Sequence, residues 1–120
     1  MSPTPRPPKN FNRAAAARKA AILKALAHPD RVAVFEFLAG GDRTVTEIAE
    51  FLGAKPANTS RHLALMKAVG LIESRKDGLN VHYSIRMPCL LSMLECMDEA
   101  VCVWADEQAV VARSLRRRRS

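Results

Sequence analysis

Apolar residues recur along most of this chain at helical spacing, and one short segment switches to the spacing of strands. Residues 1–13 (MSPTPRPPKNFNR) show neither period and carry four prolines, so they read as a disordered arm. The run AAAARKAAILKALA that follows, residues 14–27, is rich in strong helix formers. His28 and Pro29 stop it, because a residue before proline avoids the helical region. Asp30 is placed to cap a second helix with Val32, Phe35, Phe37 and Leu38 at apolar positions, and Gly40 and Gly41 end it. Thr44 or Thr46 can cap a third, in which Ile48, Ala49, Phe51 and Leu52 form a buried stripe. Glu47 stands three places after Thr44, the spacing of a capping box, and Gly53 closes this helix after barely two turns. Pro56 suits the first turn of a fourth helix, through NTSRHLALMKAV to Gly70, with Leu63, Met66 and Val69 facing inward. Two short helices around a turn at Gly53 and Lys55 predict a helix-turn-helix.

Residues 71–86 change period. Ile72, Val81, Tyr83 and Ile85 fall at strand positions, His82 and Ser84 alternate with them, and Asp77 with Gly78 signals a hairpin. A hairpin placed after a helix-turn-helix is a wing. Beyond Pro88 a last helix is expected over residues 89–112, followed by a basic tail at 113–120. The predicted class is mainly α (α+β), one domain over residues 14–112, closed at both ends by long helices.

Composition narrows this. A chain of 120 residues with 48% hydrophobic and 26% charged residues fits one small globular domain rather than a disordered chain. Aromatics make up 5%, so aliphatic side chains build the core, and a core this small gains from a partner subunit. No apolar run approaches the ~18 residues of a membrane span, and no signal segment opens the chain, so a cytoplasmic protein without membrane contact is expected. Three cysteines without paired spacing argue against a secreted disulfide framework. The net charge of +7 is unevenly placed. Residues 1–88 hold fourteen Lys/Arg and seven Asp/Glu; residues 89–112 hold five acids and no Lys/Arg; the tail adds five arginines. A basic body beside an acidic helix suits a polyanion partner, although charge alone fits a generic basic protein equally well.

The segments ALAHPDRVAVFEFL, TEIAEFLG and PANTSRHLALMKAVGLIESRKDGLNVHYSI, over about residues 20–86, together resemble the ArsR/SmtB family of bacterial winged-helix repressors. The combination of an AL-x-HP-x-R opening, an S-RHL-L-GL recognition helix and a DG-x-x-HY wing carries the resemblance; no single piece would. It implies a homodimer whose first and last helices form the interface, and a repressor released from an imperfectly palindromic double-stranded DNA operator by a small inducer.

The residues themselves suit DNA. Asn58, Thr59, Ser60, Arg61 and His62 are short or cationic groups on the expected exposed side of the recognition helix. Arg61 or His62 suits guanine or phosphate, and Thr59 a thymine methyl. Arg75, Lys76 and Asn80 sit around the wing tip, suited to backbone or minor-groove contacts. A merely solvated helix face and hairpin is the competing reading. The arginines at 116–119 suit either DNA flanks or a disordered solubilising tail, the second being favoured.

The inducer site departs from the family's familiar versions. The arsenic-binding form places cysteines in the first helix of the helix-turn-helix, where this chain has Thr46, Glu47, Ile48, Ala49 and Glu50. The zinc-binding form uses histidines of the closing helix, but His28, His62 and His82 all precede it, so a zinc site of that kind is not expected. All three cysteines, Cys89, Cys96 and Cys102, lie on the closing segment. Thiolates suit soft ions of the As(III), Sb(III) or Cd(II) type, and the resemblance permits an arsenic site here. On one regular helix Cys89 and Cys96 point nearly the same way but stand roughly 10 Å apart, and Cys102 points roughly 120° away from Cys96. A shared site therefore needs Cys89 to leave the helix after Pro88, or a second subunit. Leu90, Leu94, Met97, Val101 and Trp104 form an apolar stripe able to meet one. Cysteines packed as small hydrophobes are the competing reading. A redox or persulfide sensor of the same fold and a non-induced architectural DNA-binder are functional alternatives. A protein-interaction module is a further one, against which the intact polar helix argues. An enzyme is not expected, since the chain has no Cys-x-x-Cys, no phosphate loop and no nucleophile with a histidine pattern.

Overall fold

The computed structural model describes residues 3–6 and 8–119 and divides the chain into two compact units, residues 1–86 and 87–120. In chain order the first unit contains α1 (Arg13–Leu26), α2 (Pro29–Leu38), β1 (Arg43–Thr44), α3 (Val45–Leu52), α4 (Pro56–Ala68), β2 (Ile72–Asp77) and β3 (Asn80–Ile85); the second contains α5 (Cys89–Arg119). Mainly α with a winged helix-turn-helix is the observed class.

The caps show why the helices start where they do. Asn12 accepts the amide of Ala15 at 3.1 Å and opens α1. The second helix is capped by His28, not Asp30: the extended backbone before Pro29 turns the His28 ring so that Nδ1 accepts the Asp30 amide at 3.0 Å. At α3 Thr44 takes the cap and completes the capping box: its hydroxyl accepts from the Glu47 amide at 3.2 Å, while the Thr44 amide donates to Glu47 Oε1 at 3.1 Å. The Thr44 amide, and after it the Thr44 hydroxyl donating to the same Oε1 at 3.1 Å, hold the Glu47 carboxyl below its ordinary pKa.

Leu26, Val34, Phe35, Leu38, Ile48, Leu63, Met66, Leu71 and Ile72 fill the core where α1–α4 meet the base of the wing. Phe51, expected in the buried stripe, is half-exposed and stacks instead on Phe37, ring centroids 4.1 Å apart. The third helix is only eight residues long, so Ile48 and Ala49 occupy its inward face and Phe51 falls on the flank.

The wing is antiparallel, with Asp77 opposite Asn80, so the two-residue loop is Gly78 and Leu79 and Asp77 ends β2 instead of entering the turn. Gly78, with φ +63, takes the first loop position, where a hairpin with one positive φ calls for glycine. β1 was not anticipated. Two residues are too short to show a period, yet Arg43 and Thr44 pair with Tyr83 and His82, giving a sheet of order β1-β3-β2.

Two terminal expectations change. Asn12 and Arg13 belong to the start of α1, and α5 runs to Arg119 rather than ending near Ala112. Nothing between 112 and 119 stops a helix: the segment is Arg, Ser and Leu without Gly or Pro, and cations in the last turn complement the helix dipole. Met1, Ser2, Pro7 and Ser120, within the expected arm and tail, lie outside the described residues. No helix among the described residues is long and apolar enough to cross a membrane.

Candidate nucleic-acid interface

The turn between α3 and α4 is set by Gly53, whose φ of +64 lets the Ala54 amide bond back to the Ala49 carbonyl at 3.0 Å. The chain then re-enters a helix at Pro56, with Lys55 exposed at its cap. Residues 59, 63 and 66 of α4 share one helical face, and Thr59, Leu63 and Met66 are fully buried there. Ala57, Asn58, Ser60, Arg61 and Ala64 are exposed.

Two of the expected reading residues therefore sit elsewhere. Thr59 is buried against the core, its hydroxyl donating to the Lys55 carbonyl at 3.2 Å, because it stands one turn before Leu63 on the inward face. Its methyl cannot meet a base from there. His62 is half-buried and turned back toward α2: its ring lies 4.6 Å from that of His28, and its Nε2 lies 3.7 Å from Asp30 Oδ2. Burial, and then the neighbouring His28, push the His62 pKa down, with Asp30 opposing, so the ring favours its neutral form. Asn58, Ser60 and Arg61 remain as polar groups free to face outward. The helical period alone places Ala57, Arg61 and Ala64 on one outer stripe, so the exposed methyls of Ala57 and Ala64 were legible in the sequence though passed over.

On the wing, Arg75, Lys76 and Asn80 are all exposed, as expected. Arg75 approaches Asp42 at 3.9 Å, a surface ion pair too weak to withhold it from a phosphate. Lys67 is tied to the wing through a 2.6 Å bond from its Nζ to Ser74 Oγ, which links the recognition helix to β2. Leu79 at the hairpin tip is fully exposed and was not singled out from sequence.

In the second unit Cys89, Cys96 and Cys102 are free and exposed. Among the described residues of one chain no group of three potential metal ligands contains a cysteine. Residues 95–111 are exposed throughout, including Met97, Val101 and Trp104.

This geometry has well-matched counterparts. Residues 26–75 match a helix-turn-helix domain family. The chain is 33% identical over 90 residues to the HTH-type transcriptional regulator YgaV of Escherichia coli, covering 74% of this chain and 91% of that protein. It is 30% identical over 92 residues to a Streptomyces lividans protein named "Probable mercury resistance operon repressor", covering 77% and 71%. The solution structure of the homodimeric winged helix-turn-helix DNA-binding domain Mb0332 from Mycobacterium bovis, a possible ArsR-family regulator, superposes with a TM-score of 0.65 at 29% identity, covering 85% of this chain and 91% of that one. With the fold, the polar recognition helix, the wing and these relatives in agreement, the chain belongs to the ArsR/SmtB family of winged helix-turn-helix, DNA-binding transcriptional regulators.

Proposed function

We propose that this regulator is a cytoplasmic homodimeric repressor, released from its operator when a thiophilic ion such as As(III) or Sb(III) binds cysteines of the closing helix. The observation that carries the reading is the placement of all three cysteines, unpaired and exposed, on α5. The same helix exposes Met97, Val101 and Trp104, an apolar surface suited to a second copy. Since Cys89 and Cys96 stand roughly 10 Å apart along the helix, convergence on one ion draws a thiolate from the partner. The mercury-resistance relative lends support to an inducer of the thiophilic class.

Operator contact falls to Asn58, Ser60 and Arg61 in the major groove, with the Ala57 and Ala64 methyls available to thymine, and to Arg75, Lys76 and Asn80 on the wing. Two copies related by a two-fold axis call for a palindromic site with half-sites about one helical turn apart. An ion bridging the closing helices favours a dimer spacing in which the two recognition helices no longer fit successive grooves. A coupling of ~3 kcal/mol weakens binding over a hundredfold.

Native mass spectrometry of the reduced protein with arsenite, antimonite and Cd(II) tests this. An adduct that displaces two or three protons per site, and that frees the protein from DNA, is expected. A dimer that takes up no such ion, with thiols that respond only to oxidant or persulfide, overturns ion sensing in favour of redox sensing.

A further inference from the structure

The fold brings together two segments that the sequence keeps 34 positions apart. His28 caps α2, Asp30 occupies its first turn, and His62 projects from α4 onto both. We propose that His28, Asp30 and His62 form a site for a divalent cation of the Zn(II), Co(II) or Ni(II) class, with the recognition helix supplying one of the three ligands. The site is separate from the cysteines and stands whether or not the thiol reading holds.

Three observations support it. One potential ligand atom from each residue lies within 4.8 Å of those of the other two, so side-chain rotation can bring them to the roughly 3–3.5 Å that bonds of about 2.0–2.1 Å to one tetrahedral ion impose. Two imidazoles and one carboxylate form a donor set that suits these borderline cations and leaves positions for water. All three residues are half-buried, so the pocket shields the charges while leaving an ion a way in.

Coordination changes one existing bond. His28 Nδ1 accepts the Asp30 amide, so the neutral ring carries its proton on Nε2. An ion at Nδ1 displaces that amide; an ion at Nε2 moves the proton to Nδ1, where it can no longer accept. Either way the ion takes over from the helix cap, and its bonds to three side chains replace one peptide hydrogen bond. The consequence is a direct tether between the start of α2 and the recognition helix, one residue beyond Arg61.

The third histidine provides an internal control. His82 lies on β3, paired with Thr44 and Arg75, away from this cluster. The test uses the 120-residue chain with Cys89→Ser, Cys96→Ser and Cys102→Ser, so that no thiolate competes, and titrates it with Zn(II) while following the histidine ring resonances. At one equivalent His28 and His62 should shift and His82 should not. Equal shifts at all three rings, or none at one equivalent, overturn the site. In the same background Co(II) affinity should fall at least tenfold in His62→Gln and in Asp30→Asn, each checked for native circular dichroism. Affinity unchanged in both variants overturns it as well. Arsenite uptake by the cysteine-containing chain is scored separately, so failure of one site leaves the other judged on its own result.

Discussion

Thr59 donates its hydroxyl to the Lys55 carbonyl at 3.2 Å, and the same carbonyl accepts the Thr59 amide at 3.1 Å. Thr59 is thus a core residue of the recognition helix rather than a reader of bases. Thr59→Val should leave operator affinity within twofold and shift stability by no more than about 1 kcal/mol, because the carbonyl keeps its amide donor. Arg61→Ala should weaken specific binding by about 1–3 kcal/mol. Fluorescence anisotropy on a selected operator, with thermal melts alongside, separates the two; equal losses from both substitutions would return Thr59 to the interface.

Lys76 and Arg75 are exposed cations on the wing, proposed above as phosphate contacts. Operator affinity should fall steeply between about 50 and 200 mM salt, and Lys76→Ala should reduce the log–log slope by about one. A salt-independent affinity would contradict phosphate-led docking.

Thr44 and Glu47 satisfy each other's backbone amides at the start of α3. Thr44→Ala should cost about 1 kcal/mol, read by denaturant unfolding at neutral pH. Folding depresses the Glu47 pKa, so its contribution is present above the ordinary value of 4.5 and is lost as pH falls through the folded value. The gap between wild type and Thr44→Ala should therefore narrow in acid. A gap that stays constant down to the acid transition would show that the carboxylate adds nothing to the cap.

Phe35 is fully buried, whereas Phe51 is 49% exposed and touches Phe37 across one face. Phe35→Ala should cost about 3–5 kcal/mol. Phe51→Ala should cost about 1 kcal/mol, the scale of one aromatic pair plus partial burial. Comparable midpoints for both variants would mean that Phe51 is covered in the folded protein.

Cys96 sits mid-way among the three thiols of α5. Cys96→Ser should retain wild-type operator affinity while losing release by arsenite. Release at the same arsenite dose as wild type would remove Cys96 from the inducer site.

Much of the molecule was legible without coordinates, for reasons that are local. Helical period, prolines, left-handed glycines and the Thr44–Glu47 spacing act over a few residues, and they placed α1 to α4, the helix-turn-helix and the Asp77–Gly78 hairpin close to where they stand. The burial of Thr59 was legible too, since Leu63 one turn later was already assigned inward.

Other features depend on segments distant in sequence. β1 is a strand only because β3 supplies partners for Arg43 and Thr44. His62 carries a side chain fit for a base edge, and its turn toward His28 and Asp30 is decided by the packing of α2 on α4. Residue type and local period thus determined which elements form and which chemistry each carries. Tertiary packing alone decided that β1 pairs and that His62 turns inward to His28 and Asp30, because pairing and exposure depend on what another element supplies or covers.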